Sequence, residues 1–524
     1  VCVKHKFKAS KSRPGIWYCY KYSCTNLRIR PHKPGGIKQS NNLCNNRNTS
    51  NMRKMLFAIA ILISITSIQA QLKIDGELRS RGIVNHGFQV PALKGSNTEV
   101  YLDQRTRIKL DYSFDKFSVR FTLQDARMWG GDDIVTKAGT SGNSNALGIY
   151  ESWVNIFLSK NSNLKIGRQE WNYDDMRILS YRDWLTSGQS YDGLLYQIRK
   201  NRYTLDIGLS YNNNGNRQGI LNNSYWQAEK LKTMNFIRFK YPFGEKTSLM
   251  VIASLSGRMD TIANNLLVTG THGLNLMHNY GKKSDDGFLM RLSGYYQHGT
   301  DVNKGSDGSY RDISAYLLSF ETGVRMLNRR VEIKAGVELI SGRDYKNTDT
   351  GYNNTRRSFD MQYGAILPYY GGYMNHFIFQ DSYKMGTKGG GYIDPYIKLR
   401  YSINKKNLIE ASVFIPYLTS DVRAHNSINP DTKRPTGAEV DKYGNPVYWK
   451  GNLGTYLDFK YVYKITPKIN VKAGMSYGWV SDIKNQMVYG YKDIANKQLN
   501  KMGQNYFGWV MFTVKPGLFN SGNK

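Results

Sequence analysis

Cysteine is missing from residues 45–524; the chain's four, Cys2, Cys19, Cys24 and Cys44, all fall within the first 44 residues. A cysteine-free body has no disulfide framework, which suits a protein that crosses an oxidising periplasm. The clustered four are separated by 16, 4 and 19 residues, spacings that fit no zinc template. Acidic residues are missing from residues 1–54, which hold 13 Lys and Arg. Setting that segment aside leaves 60 basic against 40 acidic residues and lowers the formal charge from +33 to +20. Long apolar runs are missing after Ala70, which excludes membrane-spanning helices there. No GxSxG occurs, and no Ser-His-Asp set can be placed from spacing, so nothing points to an enzyme. Of the six later histidines, only His272 and His278, six apart, come near a metal-binding pair, and loop histidine is the plainer reading. The stretch DYKNTDTGYNN (344–354) lacks the EF-hand order and reads as solvated loop. Neither a metal nor a cofactor is expected.

What is present begins with a leader. MRKMLFAIAILISITSIQAQ, from Met52, has Arg53 and Lys54, an apolar run from Leu56 to Ile65, and small or polar residues up to Ala70. That is the order of a signal peptide over 52–70, although Ile68 at position −3 meets the cleavage pattern only in part. Residues 1–51 then read as an upstream start outside the working protein, and 71–524 as its body. A secreted chain also removes the nucleic-acid reading of the positive charge. With the first strand beginning right after the cleavage site, there is no space for a plug domain of the TonB-dependent kind.

The body alternates with period 2, the spacing of strands with two different faces. In YLDQRTRIKLDY (101–112), Asp103, Arg105, Arg107, Lys109 and Asp111 share one parity. Leu102, Thr106, Ile108, Leu110 and Tyr112 share the other. LKIDGELRSRG (72–82), KFSVRFTLQ (116–124), RVEIKAGVEL (330–339) and TYLDFKYVY (455–463) repeat the pattern. A soluble sandwich would alternate too, so the connections decide. Short turns are predicted near 114–116, 160–163, 200–202, 242–246, 282–287, 327–329, 404–407 and 466–468. Long polar loops are predicted near 83–98, 129–147, 170–190, 212–231, 257–271, 298–311, 342–392, 418–451 and 480–504. Short and long take strict turns, which predicts an all-β fold, an antiparallel transmembrane β-barrel of about 18 strands with tight periplasmic turns and long external loops. Tyr112, Phe117, Tyr211, Tyr241, Tyr401 and Tyr463 sit at strand ends on the apolar parity, where aromatic girdles belong. In such a barrel the apolar parity meets outer-membrane lipid and the charged parity lines a pore.

The densest charge lies in IGRQEWNYDDMRILSYRDW (166–184), with Arg168, Glu170, Asp174, Asp175, Arg177, Arg182 and Asp183 among Trp171, Tyr173, Tyr181 and Trp184. Asp125 and Arg127 in LQDARMW and Glu151 in YESWVNIFL stand upstream. A loop longer than a connection requires often folds inward and narrows a barrel. The pore-lining and substrate-binding candidates are therefore Arg105, Arg107, Lys109, Asp125, Arg127, Glu151, Arg168, Glu170, Asp174, Arg177, Arg182 and Asp183. Guanidinium groups hold carboxylates in a fixed, often bidentate geometry, and a row of them attracts anions.

QRTR (104–107), LQDARMWG (123–130), ESWVNI (151–156), LKIGRQEWNYDDMRIL (164–179), RDW (182–184) and SYDGLL (190–195) together resemble the alginate-export family of outer-membrane barrels. FDMQYGAILPYYGGYMNHF (359–377) resembles the long inward loop of its Bacteroidetes-type members. The resemblance covers nearly all of 72–515. It implies a monomeric eighteen-stranded barrel with an arginine-lined constriction that passes a polyuronate chain. Arg105 or Arg107, Arg168, Arg177 and Arg182 match its basic positions, and Asp125, Asp174 and Asp183 its acidic ones. Two other readings stand beside it: a general porin with weak ion selectivity, and a surface-binding barrel or outer-membrane enzyme whose site lies in the loops.

Overall fold

In the computed structural model, residues 70–87, 91–130, 147–212, 231–260, 265–280, 285–304, 308–359, 389–428, 435–490 and 503–522 are described. The expected upstream start, 1–51, the expected leader, 52–70, apart from Ala70, and most of the 359–377 segment lie outside them.

The barrel begins with β1 (Gln71–His86), β2 (Glu99–Ser113), β3 (Phe117–Met128), β4 (Gly148–Ser159), β5 (Ser162–Gln169) and β6 (Tyr191–Lys200). It continues through β7 (Tyr203–Tyr211), β8 (Leu231–Phe243), β9 (Thr247–Asp260), β10 (Asn265–His278), β11 (Gly287–Lys304) and β12 (Tyr310–Met326). It ends with β13 (Val331–Ile340), β14 (Tyr392–Ser402), β15 (Asn407–Phe414), β16 (Gly454–Thr466), β17 (Ile469–Val480) and β18 (Asn505–Val514). Each strand pairs antiparallel with the next, and β18 returns to β1 from Leu78↔Val514 to His86↔Tyr506, closing an eighteen-stranded barrel. Closure satisfies the backbone of every wall strand and leaves no open edge in lipid.

Side-chain period then sorts the two faces. On β2, Leu102, Ile108 and Leu110 are exposed outward, whereas Asp103, Arg105 and Arg107 are buried inside. Ile333 and Phe459 face out, and Glu332 and Glu338 face in. A lumen wide enough to hold charged side chains puts polar groups where a soluble protein has its apolar core. Tyr112 and Phe117 pack on each other across the first short turn at 6.1 Å, and Tyr241 meets Phe243 at 5.0 Å, both at the short-turn end.

All eight predicted short turns fall between paired strands. Two predicted long loops do not form as such. Residues 257–271 are mostly strand, because β9 runs to Asp260 and β10 resumes at Asn265. Residues 298–311 are likewise mostly strand, because β11 runs to Lys304 and β12 starts at Tyr310. Polar residues and glycine in GRMD (257–260) and HGTDVNK (298–304) hide the period-2 alternation there. The remaining loops carry short helices, α1 (Thr350–Asn353) and α2 (Asp482–Tyr489). Ser481 caps α2 by accepting from the Lys484 backbone N–H at 3.2 Å, and Trp449 donates to Gln486 at 3.0 Å, so neighbouring outer loops lean together.

The candidate pore and its inward loop

The connection between β5 and β6, residues 170–190, folds into the barrel and reaches both walls. Trp171, Asp175, Arg177, Leu179 and Ser180 are buried there. Trp171 stacks on Tyr191 at 4.8 Å and meets Phe236 edge-on at 5.1 Å. Gly193 makes room for it, since a Cβ there would stand 3.0 Å from the indole ring and 2.5 Å from the Leu209 carbonyl. Asp174, Met176 and Arg182 take φ of 54, 63 and 45 degrees, the left-handed region that side chains avoid. Tight anchoring must hold such a backbone in place.

One anchor is made of side chains. Arg177 pairs with Asp175 at 2.6 Å, donates to Ser319 on β12 at 2.9 Å, and closes on Glu338 of β13. Tyr295 of β11 donates to Asp175 at 2.5 Å, and Tyr392 of β14 to Glu338 at 3.3 Å. Arg238 of β8 holds Asp174 at 2.6 Å and Asp206 at 2.9 Å. Burial works against the Asp175 charge, but Arg177 and Tyr295 outweigh it and hold the carboxyl below its ordinary range. For Asp174, burial prevails over Arg238 and the carboxyl is raised.

The other anchor uses backbone carbonyls. Arg79 donates to the carbonyls of Asp183 and, at 2.9 Å, Leu185. Arg81 reaches the Trp184 carbonyl at 2.7 Å, stacks over that indole at 4.2 Å, and pairs with Asp103. Arg105 bridges Glu77 at 2.6 Å and Asp183 at 2.7 Å. Arg107 donates to Gln124 at 2.7 Å and the Ser187 carbonyl at 3.2 Å, with Tyr150 packed 3.5 Å from its guanidinium carbon. Partial burial opposes the Asp183 charge, yet Arg105 and Arg79 leave its carboxyl below the usual range. Glu170 differs: burial and the nearby Glu151 raise it, although Tyr150 donates to it at 2.8 Å.

The predicted site residues thus part into groups. Arg105, Arg107, Glu170, Asp174, Arg177, Arg182 and Asp183 gather at the inward loop and its anchors. Glu151 is also inside, because a bulge opposite Thr122 and Leu123 turns both Tyr150 and Glu151 inward. Lys109 faces the lumen nearer the short turns. Asp125, Arg127 and Arg168 correct the expectation, for all three stand on the outer face. Asp125 and Arg127 pair with each other at 2.7 Å beside Thr106 and Gln104, on the parity of Leu123. Arg168 shares its parity with exposed Ile166 and pairs with Asp192 at 2.7 Å. Charge density groups them with the pore, but strand parity assigns them to the external rim.

Four lumen lysines form a set that no sequence motif joins. Lys109 on β2, Lys165 on β5, Lys240 on β8 and Lys472 on β17 lie on inward parity within a few residues of the short turns. Among the described residues none of the four has an ion-pair partner. Most carboxylates at this level are matched: Glu321 with Lys398 at 3.5 Å, Glu332 with Lys334 at 2.9 Å, and Asp111 with Arg120 at 2.6 Å. Two cavities lie between the loop and this end. One of about 310 Å³ is lined by Asp174, Arg291, Lys334, Lys398 and Lys460 among others. One of about 210 Å³ is lined by Arg107, Lys109, Tyr150, Glu170 and Lys515 among others.

The family model described as Alginate export matches residues 70–377, more than half of the chain. The chain belongs to the alginate export family. Solved barrels similar to this alginate export family member include Pseudomonas aeruginosa OpdL, with 10% identity, a TM-score of 0.52, and coverage of 86% of this chain and 99% of that one. Pseudomonas aeruginosa OccK8 (OprE) is 10% identical with a TM-score of 0.51, covering 86% and 98%. Pseudomonas aeruginosa OpdO is 11% identical with a TM-score of 0.51, covering the same shares. At such identity the likeness concerns the fold. No curated protein matches the chain. Family and fold together make this an outer-membrane channel of a Gram-negative bacterium, a transporter and not an enzyme.

Proposed function

We propose that this channel, acting as a monomer, passes an anionic polysaccharide or oligosaccharide of the polyuronate kind. The carrying observation is that Lys109, Lys165, Lys240 and Lys472 form no direct ion pair among the described residues, in a wall whose carboxylates are mostly neutralised by neighbours. In a low-dielectric wall, uncompensated positive charge draws anions toward the short-turn mouth. Several separate ammonium groups grip weakly and release readily, as conduction requires. Arg105 and Arg177, each 1% exposed, shape the constriction by holding the loop instead of touching the polymer. Arg107 and Lys109, which both line the smaller cavity, are the nearest candidates for carboxylate contact.

Paired charges such as Lys460–Glu410 favour the second reading, a general porin with weak selectivity. Single-channel recording in a planar bilayer, under a salt gradient and then with added polyuronate, separates the two. The proposal expects an anion-selective reversal potential and block by polyuronate. Nonselective current that polyuronate leaves unchanged would establish the general pore.

A further inference from the structure

On the outer face, His272 of β10 and His298 of β11 put their Nε2 atoms 2.8 Å apart. The rings are nearly parallel, 7 degrees between planes with centroids 4.9 Å apart. They are diagonal neighbours, His272 standing opposite Tyr296 and His298 opposite Gly270. Gly270 is what lets them meet, because a Cβ there would come within 2.4 Å of the His298 Nε2. Both imidazoles are exposed, beside Tyr296 and near Tyr316, at the external end of the apolar belt. His278, the sequence partner of His272 in the spacing argument, instead bonds to Thr247 at 2.8 Å at the other end of the strand.

We propose that His272 and His298 form a two-imidazole site for a divalent transition metal, Cu(II) or Ni(II), in planar coordination. Two nitrogens bound cis at about 2.05 Å lie about 2.9 Å apart, close to the observed separation, and a modest turn of each ring brings both Nε2 lone pairs onto one metal. In the metal-free pair one Nε2–H donates to the other Nε2. On binding, that proton moves to the Nδ1 of the same ring, and both Nε2 lone pairs go to the metal. Water supplies the remaining positions, since among the described residues no three His, Cys, Asp or Glu converge as a metal cluster. The metal would clip β10 to β11 from the outer face.

The test uses untagged, cysteine-free residues 71–524 folded in detergent, titrated with Cu(II) and read by electron paramagnetic resonance and calorimetry. One equivalent with coupling to two imidazole nitrogens is expected. His272→Gln and His298→Gln should each drop the coupling to one nitrogen and weaken binding by at least about tenfold. Gly270→Ala keeps both ligands but displaces the His298 ring, and should weaken binding too. Heat-modifiable migration checks that each variant is folded. Binding in the wild type that survives both histidine substitutions unchanged, or no binding at one equivalent, overturns the site. The conductance outcome above has no bearing on it.

Discussion

The inward loop is held at two ends by different chemistry. At residues 174–177 its own side chains, Asp174, Asp175 and Arg177, meet specific partners on β8 and β11–β13. At residues 183–187 its backbone carbonyls accept from Arg79, Arg81 and Arg107, with Asp183 the main side-chain contributor. A carbonyl is supplied by any residue, a buried carboxylate by only two. The first end therefore constrains loop and wall alike, and the second constrains mainly the wall.

The largest effect should come from Arg177→Met, which leaves Asp175 and Glu338 buried without their cation and costs about 3–5 kcal/mol. Thermal unfolding followed by heat-modifiable migration should show the loss, with a rise in conductance as the loop detaches. The second end sharpens the comparison. Arg79→Ala removes hydrogen bonds to two carbonyls that Arg105 also reaches at 3.5 Å, so the net cost should be about 1.5–3 kcal/mol. Leu185→Ala, which keeps its carbonyl, should change loop anchoring far less in the same melting assay. Equal losses from the two would show that the carbonyl end depends on loop side chains after all.

Acidification probes a smaller difference. Glu170, raised, takes up its proton as pH falls before Asp183 and Asp175, which are lowered. The stabilisation from Asp183 and Asp175 is complete above their unfolded values, about 3.9, and is lost only as pH falls through their depressed folded values. Glu170, by contrast, costs stability while charged, and that cost is relieved on protonation. As pH falls from neutrality and Glu170 neutralises, the reversal potential should become more anion-selective, while Asp175 and Asp183 keep their anchoring charges. The smallest effect is expected at the outer rim, where Arg168→Ala and Arg127→Ala should leave selectivity unchanged and alter stability by at most about 1 kcal/mol.

Much of the wall was legible. Parity in β2 separates Arg105 from Leu102, and eight turns mark where strands reverse. Asp125, Arg127 and Arg168 show the cost of weighing charge density over parity, since Asp125 continues the outward series of Phe121 and Leu123. Lys240 and Lys472 follow the same parity argument, but they lie on distant strands and no local motif joins them. The Arg177–Glu338 pair was beyond reach, because the inward fold of the 170–190 loop joins residues 161 apart. Glu151 needed the bulge at Tyr150, which no composition signal announces.

The central claim is that uncompensated lumen lysines, more than the buried arginines, set the channel's preference for anions. The direct measurement is the single-channel reversal potential of a Lys109→Gln, Lys240→Gln, Lys472→Gln triple variant beside the wild type, under one salt gradient and with polyuronate added. The account predicts that the wild type is anion-selective and blocked, and that the variant loses both properties while keeping its unitary conductance. A folded variant that remains anion-selective and polyuronate-blocked would contradict it.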